Sequence, residues 1–240
     1  MPISNNQIKL VKSLQQKKFR DEYGLFAVEG EKMVAEALRS GFAVEHVFRR
    51  EDIGDDVMAR ISAQSSPSPV LAVVRKPVSN DLRPRRGLYL ALDSIRDPGN
   101  LGTIMRIADW FGVTGIFASG DTVDLFNPKT VQATMGAIFR VPVRYTDIPD
   151  VCREAVGWGG RVYGTFLDGD NMYSADIERR MDLPVIIVIG NESNGISPEV
   201  ASAVTDRLFI PPYPADDPGS ESLNAAVATA IVVNEFRRGL

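Results

Sequence analysis

Two runs of consecutive apolar residues, Leu88-Tyr-Leu-Ala-Leu92 and Val185-Ile-Ile-Val-Ile189, constrain this chain more than any other feature. Neither shows the alternation of a strand with one wet face, so each reads as a strand buried on both sides. Each leads through a glycine-containing polar turn into a helix. From Leu88 onward, strand candidates at 88–92, 115–118, 161–166, 185–189 and 207–210 alternate with helix candidates at 101–111, 128–137, 148–157, 198–204 and 221–237. This alternation predicts a parallel sheet covered by helices on both faces. Such a sheet holds its ligands outside the carboxyl ends of the strands, where the loops open.

The first part of the chain is separate. Residues 5–20 read as an amphipathic helix, with Ile8, Val11 and Leu14 on one side and lysines on the other. A short strand at 25–28, a helix from Glu31 to Ser40 stopped by Gly41, a strand at 44–48, a helix at 54–64 and a strand at 70–74 follow. The segment Lys76 to Gly87, with two prolines and several charges, reads as a linker. The expected organisation is a small α/β domain over 1–75, a linker over 76–87 and a parallel-sheet α/β domain over 88–240.

At 240 residues and 44% apolar content, the chain can bury a core without metals or disulfides. The single cysteine, Cys152, excludes an intramolecular disulfide, and the single histidine, His46, leaves no cluster with zinc-ligand spacing. The apolar stretch Ala225 to Val233 is too short to span a bilayer. No signal peptide is visible at the N-terminus, so the expectation is a soluble cytoplasmic protein without a membrane partner.

Net charge is −4, but it is unevenly spread. Residues 1–140 hold 19 Lys and Arg against 16 Asp and Glu, whereas residues 141–240 hold 8 against 15. Lys9, Lys12, Lys17, Lys18 and Arg20 form one positive cluster, and Arg75, Lys76, Arg83, Arg85 and Arg86 another. Neutralising nucleic-acid phosphates needs a local positive face rather than a basic whole, although such clusters also occur as solvated helix faces.

Three short stretches sit where the sheet would hold a ligand: Asn100-Leu-Gly-Thr-Ile-Met-Arg106, Gly190-Asn-Glu-Ser-Asn-Gly195 and Ser222-Leu-Asn-Ala-Ala226. Asn100 suits a helix N-cap as well as a site. Gly102, one turn before Arg106, weakens its helix by about 1 kcal/mol relative to alanine, which fits either a close ligand or tight packing. Arg106 carries a fixed fork of donors matched to phosphate. Glu192, in a turn bracketed by glycines, is placed to organise Arg106 or neighbouring amides. Ser197-Pro198-Glu199 marks a helix start. The proline-rich stretch from Ile210 reads as a stiff wall. In the last helix, Leu223, Val227 and Ile231 mark one apolar face.

The N-x-G-x-x-x-R, I-G-N-E-x-x-G-I and I-P…S-L-N patterns, in this order over residues 93–238, resemble the three motifs of the SpoU/TrmH RNA ribose methyltransferases. The first seventy-odd residues resemble the small substrate-binding domain of many members. The resemblance implies transfer of a methyl group from S-adenosylmethionine to a ribose 2′-hydroxyl, a trefoil knot in the C-terminal domain and a homodimer. It also implies catalytic roles for Arg106, Glu192, Asn100, Ser222 and Asn224. The cofactor would lie against Thr165, Phe166, Gly190, Asn191, Ile210 and Leu223, and RNA against Lys9, Lys12, Lys17, Lys18 and Arg20. Two departures stand out. The loop between Ile210-Pro211 and Ser222 is longer than usual, and Ala226 stands where a hydroxyl is common.

The family's arginine has been proposed as the general base. A guanidinium with a pKa above about 12 is a poor base at neutral pH, so a phosphate clamp that positions the hydroxyl suits Arg106 better. A substrate phosphate or a nearby carboxylate then takes the proton. The sulfonium is already a good leaving group, so the transfer requires no metal. Ribosomal RNA is the expected substrate, with transfer RNA as an alternative. A non-catalytic RNA-binding or ribosome-assembly factor that retains the fold is the rival reading.

Overall fold

The computed structural model describes residues 3–78, 81–214 and 222–238. Its first elements are α1 (Asn5–Ser13), α2 (Lys17–Tyr23), β1 (Leu25–Glu29), α3 (Glu31–Arg39), β2 (Val44–Arg49), α4 (Arg50–Ile53), α5 (Asp55–Ile61) and β3 (Val70–Arg75). Then come β4 (Gly87–Leu92), α6 (Pro98–Trp110), β5 (Gly115–Ala118), α7 (Pro128–Ala133), β6 (Val143–Tyr145) and α8 (Ile148–Gly157). The last are β7 (Arg161–Asn171), β8 (Pro184–Ile189), α9 (Pro198–Ala201), β9 (Asp206–Phe209) and α10 (Ala225–Arg237). The chain divides into two units, Met1–Ser79 with Asp124–Arg140, and Asn80–Val123 with Val141–Leu240.

The smaller unit is built on an antiparallel sheet of order β1-β3-β2. Its central strand is buried at every position but the last, as the apolar run Val70 to Val74 requires. On one side Ile8, Val11 and Leu14 pack with Met58, Ile61, Phe48, Leu71 and Val73. Elsewhere in the unit, Phe26 meets Phe126 at 4.8 Å between ring centroids, and Phe42 meets Phe139 edge-on at 5.2 Å. These aromatic contacts hold the Asp124–Arg140 segment, which the sequence had placed with the C-terminal domain.

Three local expectations change here. The helix expected over 5–20 is two helices, because Arg20 donates to the Leu14 and Gln15 carbonyls at 2.8 and 2.9 Å where α1 would otherwise continue. Gly41 is not a left-handed cap; Ser40 leaves α3 in an extended conformation, and it is Gly24, at φ 63°, that closes α2. The helix expected over 54–64 is α5, shorter at its end, and the sequence reading had no counterpart to α4, which precedes it across Gly54 at φ 82°.

The larger unit holds a six-stranded sheet of order β6-β5-β4-β8-β7-β9, parallel throughout. Alternate residues serve opposite faces. Tyr89, Ala91, Phe117, Val162, Ile186 and Val188 pack under α8 and α9. Tyr163, from the other face, meets Phe236 of α10 edge-on at 4.9 Å, and α10 packs along α6. Burial pushes the Cys152 thiol in this core up to about 12, so it is not a nucleophile at neutral pH.

Strand β6 was absent from the sequence reading, and β7 runs five residues past the expected end, with a register shift against β9. The last helix starts at Ala225 rather than 221. Its packed side is Ala225, Ala226, Thr229, Val232, Val233 and Phe236, not the expected Leu223, Val227 and Ile231; Leu223 and Val227 are 46% and 49% exposed. Two small alanines and a threonine let the first turns of α10 lie close to their neighbours, with Val227 facing outward there, while Val232, Val233 and Phe236 fill the packed side further along.

Candidate active site

The β4–α6 turn, the β8–α9 turn and the start of α10 converge at the carboxyl ends of the strands. The first turn of α6 is capped by Asp97, whose carboxylate accepts from the Asn100 amide at 2.8 Å, and Pro98 follows at the first helical position. Asn100 therefore is not the N-cap. It sits in the first turn with its side chain free of that duty.

Asn224 does cap its helix, its Oδ1 accepting from the Ala226 and Val227 amides at 3.0 and 3.3 Å. That fixes which way the Asn224 amide points, because only the oxygen can accept. Its Nδ2 then donates to Asn100 Oδ1 at 2.9 Å. With its oxygen so engaged, Asn100 turns Nδ2 toward Glu192 and donates to Oε1. A directed chain, Asn224 to Asn100 to Glu192, thus joins the three motifs across sequence separations of 124 and 92 residues. Glu192 is half-buried.

The turn that carries Glu192 is rigid. Asn191 and Gly195 exchange both backbone hydrogen bonds, at 3.0 and 2.9 Å. Gly195 lies at φ 66°, in the left-handed region glycine favours. A Cβ on Gly190 would fall 2.3 Å from the Gly195 carbonyl carbon. Gly190→Ala is therefore expected to lower stability by about 1–3 kcal/mol and to displace Glu192; a melting curve unchanged from wild type would contradict this.

Two tethers tie the turn to the end of β4. Asn191 Nδ2 donates to the Ser94 carbonyl at 2.9 Å, and buried Asp93 accepts from the Ser197 amide at 2.7 Å. Asp93 was not singled out from sequence, although a carboxylate directly after an all-apolar strand was the available signal. Asn191, expected to face the cofactor, also accepts from the Ser193 and Asn194 amides through Oδ1, so its polar groups already shape the turn. Ser197 stands at the start of α9, as expected, but without a side-chain cap bond. Ser94 lies at φ 60° and donates through its amide to Ser119 and through its hydroxyl to Asp121. Hydrogen bonds from Ser94 and Ser119 hold the Asp121 carboxyl below its ordinary value.

Arg106 is exposed on α6 and pairs with no described residue; the carboxylate expected to organise it is instead engaged by Asn100. Gly102, one turn earlier, is buried. Thr165 donates its hydroxyl to the Val188 carbonyl at 3.3 Å. Phe166 carries the Arg207 guanidinium 3.5 Å above its ring, and Arg207 also pairs with Asp168 at 2.5 Å. Ile210 is half-buried beyond β9, while Ser222 and Leu223 are exposed. Residues 215–221, most of the long loop, lie outside the described residues. Ala226 is buried in the packed side of α10, with no hydroxyl to offer the site.

Among the candidate RNA contacts, Lys9, Lys12, Lys17 and Lys18 are exposed. Lys17 pairs with Asp21 at 2.5 Å, and Lys18 lies 5.7 Å from the Phe19 ring centre. Arg20 must be removed from this set. It is only 2% exposed and is held by Asp124 through Nε and Nη2 at 3.1 and 2.6 Å. Its charge is neutralised internally. The second cluster is also paired: Arg75 with Glu45, Lys76 with Asp21, Arg83 with Asp81 and Glu154, Arg86 with Asp182, while Arg85 stacks on Trp158 at 4.1 Å.

The fold is an α/β one, with a parallel sheet whose strand-end turns hold a carboxylate through a chain of side-chain amides. A family model for the SpoU rRNA methylases matches residues 87–234, and one for the MRM3-like substrate-binding domain matches residues 5–54. The chain belongs to the SpoU rRNA methylase family. It is 30% identical to the 23S rRNA (guanosine(2553)-2′-O)-methyltransferase RlmP of Bacillus subtilis, over 97% of this chain and 96% of that one. An AdoMet-bound rRNA methyltransferase from Sinorhizobium meliloti superposes with a TM-score of 0.89 at 32% identity, covering 100% of this chain and 98% of its own. A TrmH-family protein from Porphyromonas gingivalis does so with a TM-score of 0.88 at 40% identity, covering 98% of both chains.

Proposed function

We propose that this protein transfers a methyl group from S-adenosylmethionine to a ribose 2′-hydroxyl of ribosomal RNA. The observation that carries the reading is the Asn224–Asn100–Glu192 chain, which assembles all three motifs into one polar site. A fold-retaining assembly factor has no need of such a directed arrangement. Ribosomal RNA is preferred over transfer RNA because the relative aligned along nearly its whole length is named for 23S rRNA.

The donor set suits the cofactor. Strand-end backbone near Gly190 and Ile210 offers polar groups for an adenosine, while Ile210, the edge of Phe166 and exposed Leu223 offer apolar surface for its base. When bound, S-adenosylmethionine supplies an electrophilic methyl on a sulfonium. The protein's own task is orientation and charge placement. Arg106, unpaired among described residues, grips a backbone phosphate of the RNA. Ser222 contributes a hydroxyl beside Asn224, and Lys9, Lys12, Lys17 and Lys18 hold RNA away from the reacting ribose.

The further expectations of the family resemblance belong to the same proposal: a trefoil knot, two subunits and a cytoplasmic setting. Trp110 on α6, 85% exposed, and Val227 on α10 are apolar side chains for a partner subunit to cover. Among the described residues no helix is long and apolar enough to cross a membrane.

Incubation with methyl-labelled S-adenosylmethionine and RNA from a strain lacking the gene tests the reading. Label is expected in the ribosomal fraction, in a 2′-O-methylnucleoside after digestion. Label in a methylated base, or only in transfer RNA, would overturn it.

A further inference from the structure

A groove in the smaller unit shares no residue with the strand-end site. It holds about 300 Å3, the low end of ligand-sized cavities, and its walls include Ile3 and Gln7 at the start of the chain, His46, Phe48 and Arg49 of β2, and Asp52 of α4. Its polar groups are uncommitted. Gln7 Oε1 accepts from the Ser4 amide and hydroxyl at 2.9 and 3.0 Å, which leaves Nε2 to donate. Arg49 and Asp52 are both exposed, and neither pairs with the other or with any described residue. The half-buried His46 imidazole has no hydrogen-bond partner among the described residues, and its ring lies 5.8 Å from that of Phe48 at 37°. Between Val44 and His46 the register of β2 on β3 slips by one residue. Bulges of this kind re-aim side chains and recur beside sites.

The lining selects its ligand. A flat ring can lie on the imidazole. Around its rim it must offer adjacent acceptors to the Arg49 fork and adjacent donors to the Asp52 carboxylate. Among the RNA bases only guanine does both, with O6 and N7 for the arginine and N1–H and N2–H for the carboxylate. Adenine, cytosine and uracil each bring a carboxylate one donor group. The exposed carboxylates Glu51 and Asp56 close by in sequence disfavour phosphate, so a base edge rather than the backbone is recognised. We propose that this groove seats an unpaired guanine base. Pairing would occupy the edge that Asp52 reads. Resting on the function proposed above, the source of that base is the RNA substrate; a free guanine nucleotide presents the same edges.

His46 is the chain's single histidine, so its Cε1 proton reports on the groove by NMR without overlap from another imidazole. Titrated into the full-length protein, GMP should shift that signal with an affinity at least about tenfold above that of AMP, CMP or UMP. Asp52→Asn, which replaces one acceptor oxygen by a donor, should abolish the preference. Its melting curve should match wild type, because the side chain is exposed. A uridine oligomer carrying one guanosine that binds more tightly than GMP would place the base in RNA, whereas tighter binding of GMP would place it in a free nucleotide. No shift of the His46 signal with either probe would overturn the proposal. So would equal affinity for AMP, or a guanine preference that survives in Asp52→Asn. A protein that selects guanine here but methylates no ribosomal RNA would defeat the functional reading and leave the groove's assignment standing.

Discussion

Arg106→Ala is expected to bind S-adenosylmethionine as the wild type does and to transfer its methyl about a hundred to a thousand times more slowly. The side chain is exposed and pairs with no described residue, so its removal strands no partner and leaves no cavity. Substitutions of that kind change stability by about 0.5 kcal/mol or less. Any large loss must then come from the reaction. A guanidinium offers a planar fork to a phosphate, and a clamp of this sort places the neighbouring hydroxyl and steadies its developing charge. Arg106→Lys keeps the charge but not the fork, and should recover only part of the rate. Single-turnover kinetics alongside calorimetry decide the matter; turnover near wild type in Arg106→Ala removes the arginine from the mechanism.

Arg20→Ala is expected to be the most damaging substitution for stability, at about 3–5 kcal/mol in the smaller unit. The size follows from what is left behind. Asp124 would lose both guanidinium bonds while its side chain is only 12% exposed, and the Leu14 and Gln15 carbonyls would lose their donors. Asp124→Ala should approach the same cost from the other side, leaving a buried guanidinium with carbonyls but no counter-charge. Hydrogen exchange of α1, α2 and α7 amides reads the loss directly. A cost below about 1 kcal/mol would mean the pair behaves as an exposed one.

That arginine also shows where sequence reading reached its limit. Arg20 belongs to a run of cations, and nothing local distinguishes it from Lys17 or Lys18. Its partner lies 104 residues away in a segment whose fold membership only packing reveals. The all-apolar strands were legible because burial on both faces leaves no alternative pattern. Strand β6 was not, being three residues long at the sheet edge and never fully buried. For the helix start at 97–100, Asp97 before Pro98 was the stronger capping signal, yet Asn100 also fits a cap in isolation. Which way an asparagine amide points cannot be read locally. It is set here by Asn224 capping α10, whose orientation passes through Asn100 to Glu192. The three motifs were visible in the sequence; their coupling required the fold.

Methylation of one ribose of ribosomal RNA at this site leaves a chemical mark. A 2′-O-methyl group removes the hydroxyl that attacks the adjacent phosphodiester in alkali, so the modified position resists cleavage. We would map alkali-resistant positions in ribosomal RNA from a strain lacking the gene, complemented with wild type or with Arg106→Ala. A resistant position should be lost on deletion, restored by wild type and not by Arg106→Ala. An unchanged map, or equal restoration by both proteins, would contradict it.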